Sequence, residues 1–297
     1  MPEKTQSDSQ AAVMLGMQMP NSAKWSDRVF TALGQNPSAF TGPGTNTYLV
    51  GTGSSKILLD TGDGRSEFLP VLEEAMEVSG CGSIQEIVLT HGHGDHIGGV
   101  RPIFERFGPC KVSKMKYEPF DGPYDLEINE LSDGDIVETE GATLRAIHTP
   151  GHAPDHLCFM LEEEAGLFTG DNVLGIGTTI IPAETGSLIE YMHSLERLLA
   201  EQPACIFPAH GPRVEDGQGK IQEYIDHRLQ REQQILEAME AGAESVMAMV
   251  EIIYAAYPKA LHAAAAQSVT SHLIKLQEEG KAALEPGQKD CWRIPSA

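Results

Sequence analysis

Six consecutive residues, His91-Gly92-His93-Gly94-Asp95-His96, carry four side chains able to bind a metal ion. Three imidazoles and a carboxylate suit zinc, iron or manganese better than calcium, which takes oxygen ligands throughout. Without a cation such a cluster would be costly to hold together. Directly upstream, residues 84–90 (IQEIVLT) form an apolar, β-branched run with the composition of a strand. Gly92, Gly94, Gly98 and Gly99 let the chain beyond it turn tightly enough for the side chains to converge. The pattern predicts a metal site at the mouth of a strand.

Three further ligand candidates each sit in a Gly/Pro-punctuated turn at an expected strand end: His152 in His148-Thr-Pro-Gly-His152, Asp171 in Phe168-Thr-Gly-Asp171, and His210 in Phe207-Pro-Ala-His210-Gly. In this order, HxHxDH, GH, TGD and PAHG resemble the metallo-β-lactamase superfamily of dinuclear metal hydrolases. Upstream, Gly44-Thr-Asn-Thr-Tyr-Leu-Val-Gly51 and Lys56-Ile-Leu-Leu-Asp60-Thr-Gly62 resemble its opening strand pair and Asp-Thr-Gly turn. The resemblance spans about residues 28–216. A narrower one, to the beta-lactamase-like protein 2 branch, is carried by residues 44–50, Glu140-Gly-Ala-Thr-Leu-Arg145, Leu167-Phe-Thr-Gly-Asp-Asn-Val-Leu-Gly175 and Lys220-Ile-Gln-Glu-Tyr-Ile-Asp-His-Arg228. That branch includes a mitochondrial endoribonuclease and fungal thioesterases that release polyketides from carrier proteins, so its scaffold does not select a substrate.

The resemblance implies an α/β fold, an αββα sandwich with metals along the top edge between two mixed sheets. It implies that His91, His93 and His152 bind one divalent ion, that Asp95, His96 and His210 bind a second, and that Asp171 bridges them. Two such ions about 3.5–4 Å apart share a water and lower its pKa, giving a hydroxide nucleophile near neutral pH. Zinc is the first expectation, with iron and manganese as alternatives. Asp95 and Asp171 then belong to the catalytic apparatus as ligands. Asp155 and His156 follow His152 closely; His156 is the catalytic candidate for protonating the leaving group, against the alternative of a hydrogen-bonded loop histidine. Antibiotic-hydrolysing members commonly carry a cysteine where this chain has Asp171, and none of Cys81, Cys110, Cys158, Cys205 or Cys291 falls in a ligand motif. Asp60 reads as a group holding a ligand's spare N–H.

Composition bounds the rest. With 297 residues, 41% of them hydrophobic, the chain can bury a large α/β domain and a small one. Five cysteines without CxxC spacing argue against a disulfide framework, and no signal peptide or transmembrane run is visible, so a soluble, cytoplasmic protein without a membrane partner is expected. The formal charge of −22 disfavours nucleic acid as a partner, since a binder needs basic residues against the phosphates.

Residues 1–24 read as a flexible tail, 25–216 as the catalytic domain and 217–297 as a helical domain. Helices are expected over residues 66–79, 96–107 and 187–199, and strands over 142–147 and 157–161. From residue 217 the pattern is one long helix with Ile221, Ile225, Leu229, Leu236 and Met239 inward, helices over 246–257 and 260–279, and a terminal hairpin. This resembles a small winged-helix module. Residues 220–297 hold 8 basic against 11 acidic residues, a balance of −3, which favours a cap or homo-oligomer contact over DNA binding. The leading functional expectation is a metal-dependent hydrolase of thioesters or esters, acting on a small-molecule or carrier-bound acyl group. The alternatives are a single-strand endoribonuclease and a non-enzymatic metal-binding protein.

Overall fold

The computed structural model describes residues 17–295, so the tail expected over residues 1–24 falls for the most part outside the described residues. Two compact units emerge. The first takes the described residues up to Thr149 with Asp155–Thr178 and Glu201–Lys220; the second takes Pro150–Pro154, Thr179–Ala200 and the described residues from Ile221 onward.

In the first unit, β1 (Ser22–Lys24), β2 (Val29–Leu33), β3 (Asn46–Val50), β4 (Ser55–Leu59), β5 (Ser83–Val88), β6 (Lys111–Lys114) and β7 (Ile128–Glu130) lie side by side in chain order. Pairing is antiparallel through β4 and parallel beyond it. A second sheet has the order β12-β11-β10-β9-β8, built from β8 (Ile136–Thr139), β9 (Ala142–His148), β10 (Leu157–Leu161), β11 (Gly166–Gly170) and β12 (Cys205–Pro208). Side chains alternate across β3 and β4. Tyr48, Val50, Ile57 and Leu59 join Leu144, Phe159, Phe168 and Phe207 of the second sheet in one core. Leu49 and Leu58 point the other way, among Phe68 and Leu72 of α1 (Phe68–Ser79) and residues of the helices that follow β5. Burial on both faces explains why these strands read as continuous apolar runs, and each such side chain stabilises by about 1.5–3 kcal/mol.

The single helix expected over residues 96–107 is two: α2 (Gly94–Ile97) and α3 (Val100–Phe107). The break is at Gly98-Gly99, where the Asp60-Thr61-Gly62 turn presses on the chain. Gly99 N–H donates to Gly62 O at 3.1 Å, and a Cβ at Gly99 would stand 1.9 Å from Thr61 O, so no other residue fits. The segment after β6 holds α4 (Glu118–Asp121) and a 3₁₀ turn, Gly122–Tyr124, before β7.

The second unit contains α5 (Leu188–Ala200), most of α6 (Gly217–Glu240), α7 (Val246–Ile253), α8 (His262–Glu278) and the hairpin of β13 (Ala283–Leu284) with β14 (Trp292–Arg293). Ile235, Met239, Met249, Val250, Val269, Leu273, Leu276 and Trp292 form its core. Ser245 caps α7 by accepting the Ala248 N–H. The three helices and hairpin expected from residue 217 are present, and they form a winged-helix domain. Ile221, Ile225 and Met239 are inward as expected, but Leu229 is 50% exposed, while Tyr224, Arg228, Glu232 and Ile235 are buried. A strict four-residue spacing from Ile221 drifts about 40° per step off a 3.6-residue helix, whereas 221, 224, 228, 232 and 235 stay on one side. Among the described residues no helix is long and apolar enough to cross a membrane, and none of the five cysteines is in a disulfide.

Candidate metal centre

The first unit gathers its polar side chains where several strands end. Asp60 follows β4, His91 and His93 follow β5, Asp171 follows β11 and His210 follows β12. His91, His93 and Asp171 offer ligand atoms within 4.8 Å of one another, and Asp95, His96 and His210 form a second group of the same tightness. His91 Nε2 faces His93 Nδ1 at 2.9 Å. Asp171 Oδ1 lies 3.1 Å from His210 Nε2 and 3.4 Å from His96 Nε2, so one carboxylate stands with both groups. His152 lies on the loop Pro150–Pro154 in the second unit, with Nδ1 2.9 Å from Ile180 O.

Hydrogen bonds set the imidazole tautomers. Asp60, at a left-handed φ of +57°, accepts the Thr90 backbone N–H at 2.8 Å and the Thr90 hydroxyl at 2.9 Å, and its Oδ2 lies 2.8 Å from His96 Nδ1. The neutral His96 ring therefore donates from Nδ1 and turns an Nε2 lone pair into the site. The Thr90 hydroxyl has its one proton committed to Asp60, so toward His91 Nδ1, 3.0 Å away, it accepts; His91 likewise presents Nε2. Asp95 is held by the Thr45 hydroxyl, which donates to Oδ2 at 2.9 Å. Asn46 donates to Pro208 O and Gly211 O, clamping the turn that carries His210.

This donor set fits divalent cations. His96 Nε2 is buried without a hydrogen-bond partner, and the carboxylate oxygens of Asp95 and Asp171 nearest it are 3.4 Å away. A lone pair and two carboxylates aimed at one place call for positive charge. The electrostatics agree. Burial opposes the charged form of His96, yet Asp95, Asp60 and Asp171 hold its pKa well above the usual histidine range. Burial works likewise against His210, which Asp171 and Asp95 push up. Burial would raise Asp171, but His210 and His96 keep it well below the ordinary carboxylate range. His91 goes the opposite way, lowered by burial and by its histidine neighbours.

His156 is fully buried beneath these groups, with its ring 5.0 Å from that of His91. Its Nε2 accepts the Asp171 backbone N–H at 3.1 Å, and Nδ1 lies 2.9 Å from the Thr149 hydroxyl. Asp155 is buried too, in an ion pair with Lys114, and it accepts the Gly92 N–H at 2.9 Å. Gly92 itself is there for close approach: a Cβ would meet that of Phe120 at 2.6 Å. Thr45, Thr90 and Lys114 escaped the sequence reading. Thr45 and Thr90 lie inside expected strands, but nothing in a strand pattern says which hydroxyl turns toward a site.

Replacing Asp60 by Asn is expected to weaken metal binding about 10–100-fold, as loss of a supporting carboxylate does. Metal retention against a graded chelator measures this; a change below about twofold would show that Asp60 merely shapes its turn.

A model of the metallo-beta-lactamase superfamily matches residues 40–210, and one of the beta-lactamase associated winged helix domain matches residues 245–292. A beta-lactamase-like protein 2 homolog of Drosophila melanogaster is 40% identical over 89% of this chain and 92% of its own length. The atrochrysone carboxyl ACP thioesterase nsrC of Aspergillus novofumigatus is 40% identical over 76% of this chain and 67% of its own. A beta-lactamase domain protein from Burkholderia ambifaria shares the fold, with a TM-score of 0.77 at 19% identity, covering 93% of each chain. The chain therefore belongs to the metallo-β-lactamase superfamily, among the beta-lactamase-like protein 2 homologs and fungal lactamase-like proteins, and is a metal-dependent hydrolase.

Proposed function

We propose that this hydrolase binds two divalent metal ions, zinc by preference, and cleaves thioesters or esters of acyl groups, including acyl groups borne on a carrier. His91, His93 and His152 hold one ion, Asp95, His96 and His210 the other, and Asp171 is shared. The observation that carries this is Asp171 standing with both donor groups at once. Bound there, the two ions supply a nucleophile from water near neutral pH and positive charge for the developing oxyanion. The chain's own residues hold the arrangement: Asp60 orients His96 directly and His91 through Thr90, Thr45 orients Asp95, and His156 supports the backbone of Asp171. With both ring nitrogens engaged below the site, His156 is read as a positioning residue rather than the acid for the leaving group.

An acyl substrate suits the surroundings. Phe120, partly buried, packs 5.1 Å from the His93 ring and edge-on to Tyr117, giving the site an apolar wall. The relative nsrC is named as an acyl-carrier thioesterase. A charge of −22 works against a polynucleotide. The test is release of free thiol from a panel of acyl thioesters, run beside a labelled single-stranded RNA on one preparation of known metal content. Thiol release that stops on chelation and returns with metal supports the proposal. RNA cleavage with no thiol release would replace it by the endoribonuclease reading, and bound metal with no turnover of either would overturn both substrate readings.

A further inference from the structure

The second unit contains a group of basic side chains for which the chain supplies almost no counter-charge. On α6, His227, Arg228 and Arg231 lie within one turn. On α8, His272 and Lys275 are three residues apart, and Lys275 Nζ reaches back to Glu232 of α6 at 2.6 Å, which joins the two helices at this point. Three of the five are nearly inaccessible: His272 is 1% exposed, Arg228 5% and Lys275 7%. Of the carboxylates at hand, Glu232 and Glu279 are taken by Lys275 and Lys281, and Glu223 acts on His227 alone among the five. Among the described residues neither Arg228 nor Arg231 has a carboxylate within 4 Å. Each stacks on an aromatic ring instead, Arg228 on Tyr191 at 5.3 Å and Arg231 on Tyr254 at 4.3 Å.

Their donors are equally unspent. Arg228 gives one N–H to Thr179 O at 2.6 Å. Its Nε, the Nε of Arg231, Nδ1 of His227 and both ring nitrogens of His272 are buried atoms without hydrogen-bond partners. Burial, together with Arg228, Arg231, Lys275 and His227, pushes His272 down to about 3, so the imidazole stays neutral and keeps one N–H to give. Water could satisfy such donors, but it would leave the charge uncompensated. Two guanidinium groups beside two imidazoles match a tetrahedral oxyanion, which arginine receives through paired N–H donors. His227 and Arg231 are only half-buried, so an anion reaches the group from solvent on their side.

We propose that His227, Arg228, Arg231 and His272 form a phosphate-binding site between α6 and α8, taking the phosphate group of a small ligand or of a substrate's carrier arm. One short segment joins this group to His152 within the second unit. Arg228 binds Thr179 O, and the next carbonyl, Ile180 O, lies against His152 Nδ1. An anion that draws on Arg228 therefore acts on the residues that orient His152.

The test is calorimetric titration with inorganic phosphate at constant ionic strength, chloride serving as the control. It is run on the metal-loaded protein and on chelator-treated Asp171→Ala, in which phosphate held by metals no longer contributes. Saturable binding of one phosphate per chain is expected in Asp171→Ala and persists in the metal-loaded protein beside any phosphate the metals hold, weakened about tenfold or more by Arg231→Gln, the loss of one charge-assisted contact. His227→Gln, at the half-buried edge, serves as a second variant should Arg231→Gln fold poorly. Phosphate binding no stronger than chloride, or binding in Asp171→Ala that neither substitution changes, would overturn the site. With the site established, 4′-phosphopantetheine binding more tightly than uridine 5′-phosphate identifies a carrier arm as its source, and the reverse order a nucleotide. Failure here leaves the thioesterase reading untouched, because the two rest on different residues and different readouts.

Discussion

Asp171→Ala is expected to lower thiol release from acyl thioesters by on the order of a thousandfold, about 4 kcal/mol of barrier, and to reduce the metal retained per chain. The effect is large because this carboxylate serves two groups. Its oxygen lies 3.1 Å from His210 Nε2 and 3.4 Å from His96 Nε2, and it shares a 4.8 Å cluster with His91 and His93. Removing it takes a negative charge from between the donor sets and leaves two cations held there to repel one another. Asp171→Asn separates charge from shape, since it keeps the side chain's size and the backbone bond to His156. If Asn restored most of the activity lost in Ala, Asp171 would matter for packing rather than charge. Retention of full metal content and turnover in Ala would sink the two-metal proposal.

The contrast between Asp171 and Thr45 shows what could be read from the chain alone. His91, His93, Asp95 and His96 lie within six residues, and Asp171 and His210 each close a punctuated turn at a strand end, so their convergence needed only strands of the expected kind. The sheets followed from β-branched runs, and the terminal hairpin from its Pro-Gly turn. Thr45 is different: it reaches Asp95 across 50 residues of sequence, as Asp155 reaches Gly92 across 63. A hydroxyl or carboxylate acting over such separations carries no local signature, because its role depends on how two loops stack. The buried face of α6 was hidden for another reason. Arg228 and Glu232 occupy inward positions that hydropathy assigns to solvent, while Leu229, which hydropathy turns inward, is exposed. Buried charge contradicts the binary pattern, and such contradictions mark places that do something other than pack.

Lys114 is the clearest such contradiction in the first unit, and Lys114→Met is expected to destabilise the protein by about 3–5 kcal/mol. The lysine is fully buried at the end of β6. Its ammonium lies 2.5 Å from Asp155 and 2.8 Å from Asp121, and donates to Met115 O at 2.6 Å. Burial already raises the Asp155 pKa and Lys114 restrains it, so methionine would leave two carboxylates in a site that cannot solvate them. The consequence reaches the metal loop, because Asp155 accepts the Gly92 N–H between His91 and His93, while Asp121 accepts the Tyr117 N–H on the segment that packs Phe120 against His93. Thermal or urea unfolding measures the loss, and chelator competition on the folded fraction measures its effect on metal affinity. Lys114→Met with Asp155→Asn removes one of the two stranded charges while keeping an acceptor for Gly92, and should recover part of the stability lost in the single variant. If the single variant unfolds like the wild type, the ammonium contributes no net stability. If the double variant is no better than the single, the loss lies in packing around Lys114 and not in the buried carboxylates.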